Sequence, residues 1–281
     1  MLFRLRGMEG GSRGGVARVP VALAIAGSDS GGGAGIQADL KAFAACGVHG
    51  TTAVTAITAQ NTVAVTAVEP VPPAMILAQV EAVASDIGVD AVKVGMLGSE
   101  ATVEAVCEAL GSIQGPPVVV DPVMIAESGA PLLEPDAREA LVGRLLPLAT
   151  VVTPNIPEAR SLTGLGEQAD QEDLARALLD LGPGAVVVTG GHSEEGVDLL
   201  ATGDSTIRIE GESHPSGASH GSGCTHSSAL AAGLARGLDL EAAARLARQV
   251  ASAAVGNGLR ELGSGAGPVD ALGIRSLAPD G

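Results

Sequence analysis

Apolar residues along this chain fall into short runs that alternate with segments of helical spacing. The run "VALAIAG" predicts a buried strand, and the segment "GIQADLKAFAACG" after it places Ile36, Leu40 and Phe43 on one helical face. Four later runs, "DAVKVGM", "PVVVD", "ATVVT" and "GAVVVT", predict further buried strands. Two early strands, "TTAVTAITA" and "TVAVTAVEP", follow the first helix, and two short strands are expected near Val197 and Ile207.

The remaining helices are predicted between these strands. One begins at Pro72 and Pro73, because proline lacks an N–H that the first helical turn leaves unpaired in any case. Others are expected from Ser99 to Leu110, from Pro135 to Leu146, twice between Asn155 and Leu181, from Gly221 to Ala235 and from Leu240 to Leu259. Strands that alternate with helices predict an α/β fold with a mostly parallel sheet covered on both faces. Ligands of such a sheet bind beyond the carboxyl ends of its strands.

Composition narrows the class of partner. A net charge of −16 argues against nucleic acid and against an anionic membrane surface, and therefore favours a small molecule. With 46% hydrophobic residues the chain can bury a sizeable core, which must be aliphatic because Phe3 and Phe43 are the only aromatic residues. Lys41 and Lys93 are the only lysines among 16 basic residues, so an anionic ligand would be held by backbone amides, arginine or a metal ion.

The three cysteines form no CxxC pair, so the sequence predicts neither a disulfide framework nor a thiolate zinc cluster, and a reducing cytoplasm fits. We expect Cys46 and Cys107, inside apolar helices, to behave as small buried hydrophobes. Residues 1–20 lack the apolar core of a signal peptide and are interpreted as a disordered N-terminal extension. No later run is long enough to span a bilayer.

The extension also contains a Gly-x-Ser-x-Gly pattern from Gly10 to Gly14 that matches a hydrolase nucleophile elbow in its letters. Neither a strand before it nor a helix after it is predicted, so we reject that interpretation.

A glycine-rich loop, "AGSDSGGGAGIQAD", follows the first strand and opens a helix. Gly33, Gly35 and Ala38 imitate a dinucleotide-binding fingerprint, but the acidic residue expected about twenty positions later is missing, since that segment reads "TAQNT". The loop is not a P-loop either, because no Gly-Lys-Ser/Thr follows it. A tight turn is the simplest explanation. The open space beside the glycines and Ala34 favours the floor of a substrate pocket.

A second loop, "SHGSGCT", is more informative. Gly221, Ser222, Gly223 and Cys224 would present successive N–H groups at the start of a helix, which predicts an anion site that needs no lysine. The same field would stabilise a thiolate, so we expect a lowered pKa for Cys224 if its thiol is partly exposed.

A zinc site is an alternative for the same segment, because His214, His220, Cys224 and His226 lie within thirteen residues. These residues straddle a loop and a helix start without a zinc-like spacing, so we favour His226 as a helix-end or pocket-wall residue.

Seven motifs in order now point to a family: "AGSDSGGGAGIQADLKAF", "TAITAQNT", "KVGML", "VVVDPVM", "TPNIPEA", "VTGGH" and "HGSGCT". The chain resembles the ribokinase-like superfamily and, within it, the hydroxymethylpyrimidine/phosphomethylpyrimidine kinases of thiamine biosynthesis. The resemblance runs from about Val21 to Ala271. It implies a three-layer α/β/α fold with a small strand lid, a single kinase domain over residues 21–275, ATP and Mg²⁺ as cofactors, and a homodimer built on the two early strands.

The resemblance also implies site residues. The substrate pocket would be formed by Gly27, Asp29, Ala34, Gln60, Met96, Val123 and Cys224. Gln60 suits an aminopyrimidine, because a carboxamide offers a donor and an acceptor side by side. The nucleotide end would be formed by Asp121, Asn155, Glu158 and Thr189, with Asp121 and Glu158 acting on Mg²⁺ and its waters. Gly221, Ser222 and Gly223 would form the anion site, and Cys224 would take the proton of the substrate hydroxyl.

The chain departs from the family pattern where Thr189 replaces a lysine associated with phosphate contact, and the segment "PSGASHG" before the anion loop also lacks a lysine. Lys93 lies inside a family motif and receives no catalytic role. Two alternatives stay open, a pyridoxal or pyridoxine kinase of the same fold and a non-catalytic pyrimidine-binding domain. The second is disfavoured because Asp121, Glu158 and Cys224 are all present.

Overall fold

The computed structural model describes residues 18–113, 115–190, 196–215 and 217–277. Most of the expected N-terminal extension, residues 1–17 with the Gly-x-Ser-x-Gly pattern, lies outside the described residues. The described chain enters the fold at Arg18, which pairs with Asp90 at 2.7 Å on the surface. No described helix has the length and apolar content needed to cross a membrane.

Nine strands in the described residues form a single sheet in the order β3-β2-β1-β4-β5-β6-β7-β8-β9. Their bounds are β1 Val21–Asp29, β2 His49–Gln60, β3 Val65–Pro70, β4 Ala91–Val94, β5 Val118–Val120, β6 Val151–Val152, β7 Ala185–Val188, β8 Asp198–Thr202 and β9 Thr206–Ile209. The six strands from β2 to β7 in this order pair in parallel, whereas β3, β8 and β9 pair antiparallel with their neighbours. The carboxyl ends of six strands therefore meet along one edge.

Eight α-helices in the described chain flank this sheet. Their bounds are α1 Gly35–Ala45, α2 Pro73–Asp86, α3 Glu100–Ser112, α4 Pro135–Ala140, α5 Ile156–Thr163, α6 Gln171–Leu179, α7 Ser222–Ala235 and α8 Leu240–Gly256. The helix expected from Pro135 to Leu146 is α-helical only to Ala140, and then continues as a π turn over Leu141–Leu145 and a 3-10 turn over Leu146–Leu148. The last long helix ends at Gly256, three residues before the expected end at Leu259.

Side chains of β1 alternate between two cores. Leu23 and Ile25 pack with α2 to α6 on one face, and Ala22 and Ala24 pack with α1, α7 and α8 on the other. The second core uses alanine heavily on both the sheet and the helices, with Phe43 as its large buried side chain. Small side chains let α7 approach the sheet closely, which brings the start of α7 to the carboxyl edge.

The expected mostly parallel three-layer α/β fold is thereby confirmed. The two early strands, expected as a lid, continue the main sheet: β2 pairs with β1 over its length and β3 forms the edge. β3 is largely exposed.

Candidate active site

A cavity of about 720 Å³ lies beyond the carboxyl ends of the parallel strands. This volume is in the range of small-molecule sites. All fourteen residues that the sequence suggested for the site line it: Gly27, Asp29, Ala34, Gln60, Met96, Asp121, Val123, Asn155, Glu158, Thr189, Gly221, Ser222, Gly223 and Cys224. Parallel strands explain this convergence, because residues far apart in sequence leave their strands at the same edge.

Asp29, the last residue of β1, organises the first glycine loop. Its Oδ1 accepts the N–H of Gly31 at 2.7 Å, and its Oδ2 accepts the N–H groups of Gly33 and Ala34 at 3.0 and 2.8 Å. The carboxylate is buried, and its oxygens are occupied by the loop. Burial alone would raise the pKa of Asp29, but hydrogen bonds from His220, Ala34 and Gly31 hold it below its ordinary value.

The two glycine loops touch each other. The ring of His220 lies against Gly33, where an added Cβ would come within 2.1 Å of it, and a Cβ on Gly221 would come within 1.8 Å of the Gly33 carbonyl oxygen. Gly221 also has a φ of +86°, in the left-handed region that favours glycine. Glycine is therefore required at both points of contact.

Gln60 ends β2 at one side of the cavity. Its backbone N–H donates to Ser30 Oγ at 2.8 Å, and Ser30 Oγ donates back to the Gln60 carbonyl at 2.7 Å, which fixes the main chain. Among the described residues, the side-chain Oε1 accepts one long hydrogen bond of 3.3 Å, from Thr58. The carboxamide consequently retains donor and acceptor capacity toward the cavity. Met96 and Val123 supply apolar wall.

The start of α7 presents the backbone donors that an anion site would need, with one correction to the expected set. The N–H of Ser222 donates to the Ser219 carbonyl at 2.9 Å and is not available to a ligand. The N–H groups of Gly221, Gly223 and Cys224 have no hydrogen-bond partner within the described residues. Three backbone donors at a helix N-terminus suit phosphate oxygens.

The expectation of a lowered pKa for Cys224 is wrong. Burial raises the pKa of its thiol to about 12. Lys93 acts in the opposite direction, the carboxylates of Asp39 and Asp121 add to the increase, and the N–H of Gly35 offsets a little of it. The sequence motif indicated the helix terminus correctly but could not show that this partly exposed residue places its sulfur among protein atoms and beside two carboxylates, where a thiolate is poorly solvated.

Asp121 and Glu158 lie near each other in the cavity wall. Asp121 Oδ2 accepts a hydrogen bond from Ser227 at 2.9 Å, while its Oδ1 has no hydrogen-bond partner among the described residues. Burial, and then the charge of Asp121, raises the pKa of Glu158 to about 8. Two neighbouring carboxylates, of which Asp121 is buried and Glu158 is partly buried, suit a hard divalent cation with oxygen ligands.

Within the described residues, no group of three or more His, Cys, Asp or Glu side chains is arranged to hold a metal ion. The described histidines and cysteine of the second loop therefore do not form a zinc site of that kind. Magnesium differs from zinc in this respect, because phosphates and water complete its coordination.

Glu158 also has a structural role. Asn155 Oδ1 accepts the Glu158 N–H at 2.8 Å, and Glu158 Oε2 accepts the Asn155 N–H at 2.9 Å, so the two residues form a capping box on α5. Thr189 lies beside Asn155 through an isolated parallel bridge. Its N–H donates to the Pro154 carbonyl at 2.9 Å.

Sequence reasoning missed a buried charge cluster beneath the cavity. Lys93 Nζ lies 2.9 Å from Asp39 Oδ1 and 3.6 Å from Asp121 Oδ2, and the Lys93 side chain is completely buried. A lysine inside an otherwise apolar strand, "DAVKVGM", was the available signal.

A second missed feature is a short hairpin over residues 124–132, fixed by the Ala126 N–H to the Ala130 carbonyl and the Leu132 N–H to the Met124 carbonyl, both 2.8 Å. Its Glu127 accepts a 2.6 Å hydrogen bond from Ser219 in the second loop. The hairpin thus closes one side of the cavity.

The outer half of the cavity was also missed. Asp198, at the start of β8, lies 2.9 Å from His226 Nε2 and 3.9 Å from Arg248, and it accepts the Gly190 N–H at 3.0 Å. His226 is thus a pocket-wall residue, as expected.

The mostly parallel three-layer fold is that of a ribokinase-like kinase, and one cavity in it holds a helix start with three available N–H groups and a pair of carboxylates. The profile of one family, described as phosphomethylpyrimidine kinase, matches residues 29–270. The chain belongs to this family, which confirms the resemblance seen in its motifs.

Individual relatives agree. A hydroxymethylpyrimidine/phosphomethylpyrimidine kinase of Rhizobium meliloti is 49% identical over 255 residues, 89% of this chain and 96% of the relative. The crystal structure of a phosphomethylpyrimidine kinase from Clostridium difficile matches with a TM-score of 0.72 and 43% identity, over 82% of this chain and 96% of that one. A Bacillus subtilis pyridoxal kinase, solved as an ADP complex, matches with a TM-score of 0.83 and 38% identity, over 92% of this chain and 99% of that one.

Proposed function

We propose that this kinase transfers the γ-phosphoryl group of ATP first to 4-amino-5-hydroxymethyl-2-methylpyrimidine and then to the resulting monophosphate, in thiamine biosynthesis. The observation that carries the proposal is that one cavity holds both the Gln60 carboxamide and the Cys224 thiol, the latter at an anion-binding helix start. The carboxamide can pair with the ring nitrogen and exocyclic amine of the acceptor. The hydroxymethyl group then faces the phosphate end.

In the first reaction the hydroxyl oxygen attacks the γ-phosphorus. The bond from that phosphorus to the bridging oxygen breaks, its electron pair leaves with ADP, and the hydroxyl proton passes to the ionised sulfur of Cys224, which becomes a neutral thiol. The N–H groups of Gly221, Gly223 and Cys224 hold the phosphoryl oxygens as charge develops on them. In the second reaction the acceptor oxygen is an anionic phosphate, so no proton has to be removed, and positioning with charge neutralisation dominates.

Asp121 and Glu158 would hold Mg²⁺ at the triphosphate end. When bound, the ion supplies positive charge that offsets the charge of the phosphates. The positive charge of the ion would matter more in this chain than in family members with a lysine at this position, because Thr189 offers a hydroxyl and no charge. Asn155 and Thr189, joined at the ends of neighbouring strands, would contact the nucleotide.

The residues of the substrate pocket differ in how they would act on the acceptor ring. Gln60 recognises the ring, Met96 and Val123 sandwich it, and Gly27 and Ala34 leave room for it. Asp29 acts through the loop, since its oxygens already accept backbone N–H groups and the His220 ring. A substrate would therefore meet the loop that Asp29 shapes.

A coupled assay of ADP release with the hydroxymethylpyrimidine and its monophosphate as separate acceptors tests the proposal. Turnover with both is expected. Pyridoxal is the necessary third acceptor, because the fold matches a pyridoxal kinase as well as a phosphomethylpyrimidine kinase. Turnover with pyridoxal and with neither pyrimidine would replace the proposal by the pyridoxal kinase alternative, and nucleotide binding without any turnover would favour a binding domain.

The single domain over residues 21–275, the homodimer and the cytoplasmic location stay predictions. Light scattering of the purified chain measures its oligomeric state directly. The exposed edge strand β3 is the surface on which the homodimer is expected.

A further inference from the structure

A buried ion pair lies at the floor of the cavity and has no part in the proposed phosphoryl transfer. Lys93 of β4 and Asp39 of α1 are both completely buried, and Lys93 Nζ lies 2.9 Å from Asp39 Oδ1. The same ammonium lies 3.6 Å from Asp121 Oδ2. One positive and two negative charges are thus grouped under the start of α7.

Stability alone gives a poor reason for this pair. Burying two charges costs several kcal/mol of desolvation, and apolar replacements of buried ion pairs are often as stable. Lys93 is flanked in its strand by the buried apolar residues Val92 and Val94. Asp39 Oδ2 is buried without a hydrogen-bond partner in the described part of the chain, although purely structural buried carboxylates normally have both oxygens satisfied.

Helix α7 connects this cluster to Cys224. One turn after the thiol, Ser227 donates to Asp121 Oδ2 at 2.9 Å and Ser228 donates to Asp39 Oδ1 at 2.7 Å. The two serines fix the position of both carboxylates relative to Cys224. The charge of Lys93 lowers the pKa of the thiol, and the charges of Asp39 and Asp121 raise it.

We propose that Lys93 is a positioning residue for the first phosphorylation, held by Asp39 so that its ammonium stabilises the negative charge on Cys224 when the sulfur is ionised. Asp39 opposes this effect by its own charge while fixing the lysine in place. The inference rests on the proposed role of Cys224 as proton acceptor. The geometry that supports it is the cluster of Lys93, Asp39 and Asp121, which two serines bind to α7 one turn after Cys224.

The composition of the chain permits a direct measurement. The protein has no tryptophan and no tyrosine, so thiolate absorbance near 240 nm can be followed to high pH without phenolate ionisation. Cys46→Ala and Cys107→Ala remove the other two thiols. In this background we measure the thiolate signal at pH 10 and the rate of alkylation by iodoacetamide, with circular dichroism as a check on folding.

The two substitutions should act in opposite directions. Lys93→Met is expected to lower the thiolate fraction of Cys224 about tenfold and Asp39→Asn to raise it about tenfold, since one nearby charge shifts a pKa by about one unit. The double variant should return close to the parent. Ser228→Ala, which removes a hydrogen bond to Asp39 without a change of charge, is the matched control and should change the fraction less than threefold.

Disruption of packing would move all variants in the same direction, so any pattern other than opposite shifts overturns the proposal. If Lys93→Met does not fold, Asp39→Asn and the double variant of Lys93→Met with Asp39→Asn still distinguish an effect of charge on the thiol from an effect of packing. Lys93→Met should also slow the first phosphorylation at least tenfold more than the second, and Lys93→Arg should restore part of the difference. The thiol titration needs no substrate, so a wrong acceptor in the proposed function and a wrong role for Lys93 give distinguishable results.

Discussion

His220 Nε2 lies 2.9 Å from Asp29 Oδ2, across 191 positions of sequence, and both side chains are buried. Asp29 holds the first glycine loop by accepting its N–H groups, and His220 begins the loop that leads to the anion site. The contact therefore ties the floor of the acceptor pocket to the phosphate end. A change at either residue should affect both halves of the cavity.

Replacing Asp29 by Asn should lower the free energy of unfolding at pH 7 by about 2–4 kcal/mol, because a buried charged partner of several N–H groups is lost. We expect the KM values for acceptor and ATP to rise together. The lowered pKa of Asp29 stabilises the fold above the ordinary value of 3.8 and loses that effect as the pH falls through the folded-state value. Asp204→Asn, at an exposed turn, is the control for urea unfolding at pH 3 and pH 7.

Gln60→Ala should raise the KM for both pyrimidine acceptors by a factor that corresponds to about 1–3 kcal/mol, the usual value of a bidentate contact. The ATP KM should change little. Gln60→Glu keeps the acceptor oxygen and loses the donor, so it separates the two halves of the contact. An unchanged acceptor KM in Gln60→Ala would remove Gln60 from recognition.

Cys224→Ser should slow the first phosphorylation by about 10² to 10⁴, the usual contribution of a positioned base, and slow the second far less. Cys224→Ala should behave similarly and retain nucleotide binding, because the anion site consists of backbone N–H groups. Single-turnover rates with each acceptor measure this difference. Equal slowing of both steps would show that the thiol shapes the pocket and does not take the proton.

The pH dependence gives an independent check on the same residue. With a thiol pKa of about 12, the thiolate fraction rises tenfold per pH unit up to that value, so the first phosphorylation should accelerate with pH. Glu158, with a pKa near 8, ionises in the same range and affects both reactions. The ratio of the two rates cancels the Glu158 effect and should still rise between pH 6 and pH 9. A flat ratio would argue against Cys224 as the base.

Glu158→Gln tests the carboxylate pair through stability. Because the folded-state pKa of about 8 exceeds the ordinary value of 4.5, the native protein retains a proton that the unfolded chain releases, and stability should fall as the pH rises from 4.5 to 8. Gln keeps the capping oxygen without the charge, so at pH 8 the variant should be more stable than the parent by about 1–3 kcal/mol. The Mg²⁺ concentration that gives half-maximal turnover should also be higher in the variant. Denaturant unfolding of the parent and of Glu158→Gln at pH 5 and pH 8 measures the difference in stability.

Thr189→Lys would return a positive charge to the strand end where the family pattern has lysine. We expect the KM for ATP to fall about three- to tenfold, because a nearby cation is typically worth about 1 kcal/mol to a phosphate in a partly exposed site. Thr206→Lys on the exposed edge of β9 adds the same charge away from the cavity and serves as the control. Equal effects of the two substitutions would mean that overall charge, and not the position of Thr189, controls affinity.

The sequence by itself determined the fold class, because alternating apolar runs and helical spacing are local properties that each segment carries alone. Its resemblance to a family also placed Gln60, Asp121 and Cys224 in one site, and Gln60 and Asp121 meet there because the strands that they end or follow are parallel and share one edge. The backbone donors at the start of α7 could be predicted from the glycines of the second loop.

Only the tertiary structure decided the electrostatics of that site. The raised pKa of Cys224 depends on how closely α7, α1 and β4 pack around the sulfur, and the Lys93–Asp39 pair joins elements 54 positions apart. The Asp29–His220 contact and the Asp198–Arg248 contact likewise join residues that are distant in sequence. Desolvation and charge coupling depend on distances through space, and no local pattern of residue types contains those distances.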